Sequence, residues 1–342
     1  MRGTRAYQVA VVLIAVVVVI AALSTASSVF TPVAFALLII ALIWPLQLLL
    51  QSVMPRLVAL AISVLAMVFV FLAFGSLIGW AFTRVGRWIV SDAGRFQIFY
   101  DQAVIWLEGH GVALAGVWSE TFNVSWVLRF AQTITTRLNT TVSFWLVVLI
   151  YVVLGLLEVE DFKRKLRSMG GGDTGRVLLQ ASAATAIKIR RYMIVRTLMS
   201  VVTGLLVWCF AKVVGLQLAE EWGLIAFSLN YIPFLGPLVA TLFPTLFAMT
   251  QFSSWYTVIL LFGCLNLIQF VVGSYIEPRI AGSALAISPV VVLFSVFFWS
   301  YLWGIFGAFI GVPITIALLT FCEMHPSGRW IFELFGEPER AR

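Results

Sequence analysis

The stretch WGLIAFSLNYIPFLGPLVATLFPTLFAMT, residues 222–250, carries no charged side chain and yet cannot form one straight helix. It is longer than the about 20 apolar residues that cross a bilayer. Pro233, Gly236, Pro237 and Pro244 lie inside it. Proline lacks the backbone donor, and its ring clashes with the carbonyl one turn back, so a helix kinks or stops there. Carbonyls freed by such a break need polar partners, and irregular backbone survives in lipid only where protein or a water-filled cavity meets it. The stretch reads either as a re-entrant hairpin with its tip, Asn230 to Pro237, inside the protein or as a kinked span. In the hairpin reading, a solute or ion contacts backbone exposed at the tip.

Further apolar runs of membrane length lie on either side. With 222–250 they predict about eight spans, near 6–24, 29–51, 57–82, 142–158, 197–217, 222–250, 255–276 and 288–321. The last is also overlong, and Gly304, Gly307, Gly311 and Pro313 interrupt it. The whole chain, 342 residues, is 62% hydrophobic and 11% charged. Soluble domains carry about 25% charged residues, and a water-soluble fold of this composition could not cover its surface. The expected class is therefore an all-α membrane protein with two broken or re-entrant helices. Arg2 and Arg5 before the run from Val9 to Leu23 resemble a signal peptide, but a second run begins at Phe30, so an uncleaved helical hairpin is expected. The net charge of +7 is spread between apolar runs. That serves anchoring and orientation, not nucleic acid.

The chain divides into three N-terminal spans at 1–82, an external segment at 83–141, and a transport region at 142–342. The last includes a cytoplasmic helix at 159–196 and a C-terminal tail. Nine Lys and Arg in 159–196 put that segment in the cytoplasm, and eight spans then put both termini there. In 83–141, two sets recur at helical spacing: Phe96, Phe99, Tyr100, Val104 and Leu107, then Val127, Phe130, Ile134 and Leu138. They predict amphipathic helices that lie in the headgroup layer or pack on a neighbouring subunit. Gly170-Gly171-Gly172 makes a turn, after which a helix starts near Asp173 with Val177, Ala181, Ala184 and Ile187 on one face. Trp222-Gly223 before Pro233 is weakly echoed by Trp303-Gly304 before Pro313.

No catalytic constellation, metal-ligand spacing or cofactor motif appears. His110 and His325 are the only histidines, and no Gly-Lys-Ser/Thr phosphate loop is present, so the chain does not read as an enzyme or as an ATPase. Cys209, Cys264 and Cys322 read as packing residues. The informative residues are polar groups near membrane depth, which are costly there and face cavities or partners. They are Asn230 beside the Pro233 break, Asn266 and Gln269 in the seventh span, and Glu277 and Arg279 at its end, where the two charges pair or stand at a cavity mouth. Glu220 and Glu221 suit a helix N-terminus, and Lys212 snorkels to the interface.

Three motifs then carry a resemblance. Asn230-Tyr231-Ile232-Pro233-Phe234-Leu235-Gly236-Pro237 is similar to an N-x-I-P-x-x-G-P signature. Tyr275-Ile276-Glu277-Pro278-Arg279-Ile280-Ala281-Gly282 is similar to I-E-P-R-x-x-G. Ser288-Pro289 with Trp303-Gly304-Ile305-Phe306-Gly307-Ala308 and Val312-Pro313 completes the set. In this order they resemble the autoinducer-2 exporter family of bacterial membrane proteins, most strongly over about 180–335. The resemblance implies a polytopic transporter of the bacterial inner membrane with about eight spans and a homopentameric assembly. It also implies export of the small polar signal autoinducer-2, while other members resemble sodium or lithium/proton antiporters. Two positions depart from the pattern. Ser274 stands where the family often has Asn. The family often has Gly-Gln shortly after the tyrosine that opens the fifth span, whereas here Tyr192 is followed by Met193-Ile194-Val195-Arg196, so a polar substrate or cation contact is expected to be missing at Ser274 or Arg196.

The preferred expectation is a secondary transporter moving a small polar solute without ATP. Asn230, Pro233, Gly236 and Pro237 shape one hairpin tip; Asn266, Gln269, Glu277 and Arg279 supply polar contacts between two hairpins. The alternatives are a monovalent cation/proton antiporter with Glu277 as the coupling acid, and a membrane scaffold without transport.

Overall fold

In lipid each backbone N–H and C=O must find its partner within the chain, so apolar segments become helices. The computed structural model describes residues 2–91, 94, 109, 124–168, 173–252, 254–281, 287–325 and 328–335. In order, the helices are α1 (Arg2–Thr25), α2 (Ser27–Gln51), α3 (Arg56–Ser91), α4 (Val124–Ser168), α5 (Asp173–Val214), α6 (Ala219–Leu229) and α7 (Leu235–Gln251). Next come α8 (Trp255–Phe270), a π-helical turn (Val271–Ile276), α9 (Glu277–Ala281), α10 (Pro289–Met324) and α11 (Arg329–Phe335). Among the described residues, six helical stretches are long and apolar enough to cross a membrane: α2, α3, α4, α5, α8–α9 and α10. Parts of α1 and α7 are shorter and also apolar. Leu37, Leu65 and Phe69 are each more than 60% exposed. The fold is an all-α membrane protein whose outer face is apolar.

Two compact units interleave along the sequence. One holds residues 1–64, 144–192 and 283–342; the other holds 65–143 and 193–282.

In the first unit, α2, α4 and α10 meet through rings. Phe35 lies 5.5 Å from Phe144 and 5.7 Å from Phe306, and Phe144 stacks on Phe306 at 4.2 Å. Such aromatic pairs add roughly 0.5–1.5 kcal/mol each beyond area burial. α10 is a hairpin. Trp303 (φ −128°, ψ 15°) and Gly304 (φ 62°, ψ −144°) break it, and only glycine takes the latter conformation without strain. A Cβ added at Gly311 would lie 2.9 Å from the Ser295 carbonyl oxygen. In a straight helix those residues would be about 24 Å apart, so the second arm lies back against the first. Trp299 Nε1 donates across the arms to Thr315 Oγ1 at 3.4 Å. At the open end, Ser288 N–H donates to the Phe335 carbonyl, and Lys188 pairs with Glu323 at 2.6 Å.

The expected hairpin of the first two spans is not formed. One residue, Ala26, joins α1 to α2, and helical hydrogen bonds run through it, from Ala26 N to Ala22 O and from Phe30 N to Ala26 O. Such a junction bends a helix without turning it back. The helical face expected after the glycine triplet, Val177, Ala181, Ala184 and Ile187, is also shifted. α5 starts at Asp173 as expected, but Ala181, Thr185, Ile189 and Tyr192 are buried while Ile187 is 59% exposed. The glycine triplet and the Phe96–Leu107 set lie outside the described residues. Residues 127–138 are helical, within α4.

In the second unit, α6 and α7 form another hairpin. α5 ends in a Schellman cap: Gly215 has φ 75°, Leu216 N–H donates to Ala211 O at 2.8 Å, and Gly215 N–H to Lys212 O at 3.2 Å. Beside it, the end of α7 is tied down, because Gln251 Nε2 donates to Gly215 O and Gln251 Oε1 accepts from Gln217 N–H. The start of α6 and the end of α7 therefore lie together, and the segment 222–250 enters and leaves on one side. Glu221 is 2% exposed and pairs with Arg84 of α3 at 2.9 Å, while Lys212 pairs with Glu220 at 3.1 Å. Trp222 packs on Phe247 within the core, which Trp88 of α3 closes. The weak echo does not mark equivalent positions. Gly223 sits near the entry of its hairpin, against Trp208, whereas Gly304 is at the tip of its own.

Candidate functional site: a polar seam along α5

α5 carries Arg196, Ser200 and Thr203 at spacings of four and three, which is one helix face. All three are buried, with Ser200 and Thr203 at 0% exposure. The tip of the α6–α7 hairpin meets this face. Asn230 Nδ2 donates to Ser200 Oγ at 3.3 Å, and Tyr231 OH donates to Thr197 Oγ1 at 3.0 Å. These bonds hold the tip about 15 to 18 residues down α5 from Gly215, roughly 22–27 Å.

The tip itself is closed by local bonds. Ile232 N–H donates to Leu229 O, Leu235 N–H to Pro233 O and Gly236 N–H to Ile232 O. Phe234 reverses the chain with φ 63°. Gly236 lies so close to the Leu229 carbonyl that a side chain there would collide with it. Pro233 and Gly236 are buried and Pro237 is half-buried. The carbonyls expected to face a solute thus accept local N–H groups, and the polar character of the tip comes from Asn230 and Tyr231.

Glu277 reaches the same face of α5. Its two carboxylate oxygens lie 3.0 Å from Arg196 Nη1, and the side chains are 10% (Arg196) and 18% (Glu277) exposed. The approach to Glu277 is a π-helical turn. Pro278 has no N–H to donate and crowds the carbonyl four residues back. The chain widens instead, and Glu277 N–H donates to Val272 O. Single π-helical turns inside helices are frequent at functional sites.

Glu277 and Arg279 do not pair with each other. Arg279 stacks on the Tyr275 ring at 3.9 Å and donates to its hydroxyl at 2.7 Å, on the exposed side. Asn266 is likewise exposed and donates to Phe262 O in its own helix. Gln269 differs: its Nε2 is buried and has no hydrogen-bond partner among the described residues, and the same is true of Thr203 Oγ1. α8 starts beside Gln251, near the Gly215 end of α5, and its continuation reaches Arg196 at Glu277, so α8 and α5 run antiparallel. Thr203 and Gln269 are seven and eight residues from the paired charges, each about 10–12 Å along its helix, and so lie at matching depth.

Sequence reasoning reached Asn230, Gln269 and Glu277 through their polarity. It noted Arg196 as the last member of the basic run and as a departure from a pattern, and assigned no role to Thr197, Ser200, Thr203 and Tyr231. The available signal was periodic: polar residues on one face of an otherwise apolar helix.

Comparison with known proteins agrees with these motifs. The AI-2E family transporter model matches residues 11–326. The AI-2 transport protein TqsA of Escherichia coli is 32% identical over 203 residues, 59% of this chain and 58% of TqsA. The putative transport protein YhhT of Escherichia coli is 29% identical over 61% of this chain and 59% of its own length. The putative transport protein YrrI of Bacillus subtilis is 32% identical over 38% and 35%. The matched region thus spans about three fifths of the first two relatives. With the family model covering nearly all of the chain, the protein belongs to the AI-2E transporter family.

Proposed function

We propose that the protein is a secondary transporter that exports a small polar solute without ATP, and that the seam on α5 is where the solute binds. The observation that carries this reading is the buried polar face of Arg196, Ser200 and Thr203 opposite Asn230 and Glu277, with the Thr203 hydroxyl and the Gln269 amide lacking partners among the described residues. Unpartnered buried donors are expensive in an apolar bundle, and a hydroxyl-rich solute supplies partners for them. Pro233, Gly236 and Pro237 shape the tip that presents Asn230, while Arg279 and Asn266 line the approach from the exposed side of α8–α9. The broken helix at the tip and the π-helical turn are the elements whose few altered dihedrals open and close the seam, as interrupted helices do in transporters.

Autoinducer-2 is the first solute to test, because TqsA is named for its transport. The setting is the bacterial inner membrane, with both termini cytoplasmic and a homo-oligomer, a pentamer, as the assembly. The test is efflux of autoinducer-2 from loaded vesicles containing the protein, compared with empty vesicles and with Asn230→Ala and Ser200→Ala. Efflux above the empty control that falls in both variants supports the reading. Efflux identical in the variants removes the seam from the path, and none above the control removes the solute.

A further inference from the structure

We infer that Arg196 is a tethered counter-ion that takes the place of a monovalent cation on Glu277, and that it thereby selects uncharged polar solutes over sodium and lithium. The inference deepens the proposed function, since it rests on the seam being the solute site.

A carboxylate that is mostly buried, with its side chain 18% exposed, needs a compensating positive charge. A proton, a metal ion or a cationic side chain can supply it. Here one guanidinium nitrogen lies 3.0 Å from both Glu277 oxygens. Arginine does not lose its proton at any physiological pH, and it cannot diffuse away. The nearby cation on the same helical turn, Arg279, is engaged with Tyr275 and leaves Glu277 to Arg196.

Without Arg196, the surroundings of Glu277 suit a small hard cation. Such ions take oxygen ligands from carboxylates, carbonyls and neutral side chains. The Glu277 carboxylate stands on the same seam as the Ser200 hydroxyl, which lies one turn along α5 from Arg196. Arg196 occupies the coordinating face of the carboxylate and holds the net charge of the pair at zero. A sodium ion entering beside the guanidinium would meet like charge and would find no free carboxylate oxygen. An uncharged hydroxylated solute meets neither obstacle. The pair also explains how position 196 carries a full charge inside an apolar helix.

The test measures ion binding directly and does not depend on which solute is carried. The full-length protein in detergent is melted in sodium, lithium or choline chloride at equal ionic strength, and uptake of radiolabelled sodium is measured in proteoliposomes. The variants are Arg196→Gln, Arg196→Lys, Glu277→Gln and Arg196→Gln/Glu277→Gln. Wild type, the lysine variant and the double variant should show no sodium-specific rise in Tm. Arg196→Gln should gain one, with a sodium affinity at least about tenfold above wild type. Arg196→Gln that folds only in sodium or lithium supports the inference equally. A wild-type sodium response abolished by Glu277→Gln overturns it. So does a monodisperse Arg196→Gln protein without a sodium response, or one that fails to fold in every salt while the double variant folds. Absence of solute efflux by wild type would remove the transport reading and leave this binding comparison standing.

Discussion

Gly204 and Gly223 set the distance between α5 and α6, and alanine at either should loosen the contact between hairpin tip and seam. A Cβ on Gly204 would lie 2.8 Å from Phe227 Cβ and 2.9 Å from the Gly223 carbonyl oxygen. One on Gly223 would lie 2.6 Å from Trp208 Cβ and 2.9 Å from the Gly204 carbonyl oxygen. These neighbours are backbone or Cβ atoms and cannot swing aside. Ordinary contact begins near 3.4 Å, so the helices must part by about 0.6–0.8 Å to relieve the overlap. The Asn230–Ser200 bond, 3.3 Å long, would then stretch to about 4 Å and be lost. Overpacking costs about 1–3 kcal/mol and the buried hydrogen bond about 1 kcal/mol, so each single substitution should destabilise by about 2–4 kcal/mol. The two share one interface, and the double variant should cost less than the sum of the singles. Thermal unfolding in detergent measures this, with efflux as the functional readout. Gly263→Ala is the control: nothing lies within 4 Å of its added Cβ, and it should be neutral or stabilising by up to about 1 kcal/mol. If Gly204→Ala and Gly223→Ala behave like Gly263→Ala, or their costs simply add, the close approach of α5 and α6 is wrong.

Further outcomes follow from the same geometry. Arg84→Ala leaves the Glu221 carboxylate buried and unpaired. Since Arg84 itself is about half exposed, the cost should be about 2–3 kcal/mol, below the roughly 3–5 kcal/mol of a fully buried pair, and Arg84→Ala/Glu221→Gln should recover part of it in a melting experiment. Gly304→Ala places a side chain at φ 62°, ψ −144° and should lower stability by about 1–3 kcal/mol, read as a lower Tm, with nothing recovered by substitutions on α5. Gln269→Leu removes a buried amide nitrogen without a partner among the described residues. It should raise stability by about 1 kcal/mol while lowering efflux; unchanged efflux would take the amide out of the solute path.

Much of the fold was legible because lipid leaves the chain few options. Each long apolar run had to be a helix, and the breaks at Pro233 and Gly304 had to be held inside protein. What the residues alone left open was whether residues 222–250 turned back or merely bent. That depends on where the far ends go. The answer lies in Gln251, a single polar residue that ties the end of α7 to Gly215 and Gln217, at the start of the hairpin. The reverse happened at the N-terminus, where a second apolar run beginning at Phe30 after the run from Val9 to Leu23 suggested a helical hairpin. Only Ala26 leaves the helical path, because serine and threonine can satisfy their hydroxyls within a helix. Thr25 does so by donating to Ala21 O at 2.8 Å.

The site was legible one residue at a time but not as a set. Glu277 and Arg279 are two residues apart, and such neighbours on a helix do not face each other. That spacing argued against their pairing and required another cation for a buried carboxylate. Arg196 was in view as the last member of a basic run that orients the chain. Its place in the period separates it from that run. Arg190 and Arg191 precede the apolar stretch, whereas Arg196 continues the buried face of Tyr192 through Ser200 to Thr203. A cation on the buried face of a spanning helix needs an anion opposite it. Of the acids among the described residues of the second unit, Glu220 and Glu221 lie at the open end of the hairpin, where Lys212 and Arg84 hold them. Glu277 is left, and the π-helical turn before Pro278 brings it to Arg196.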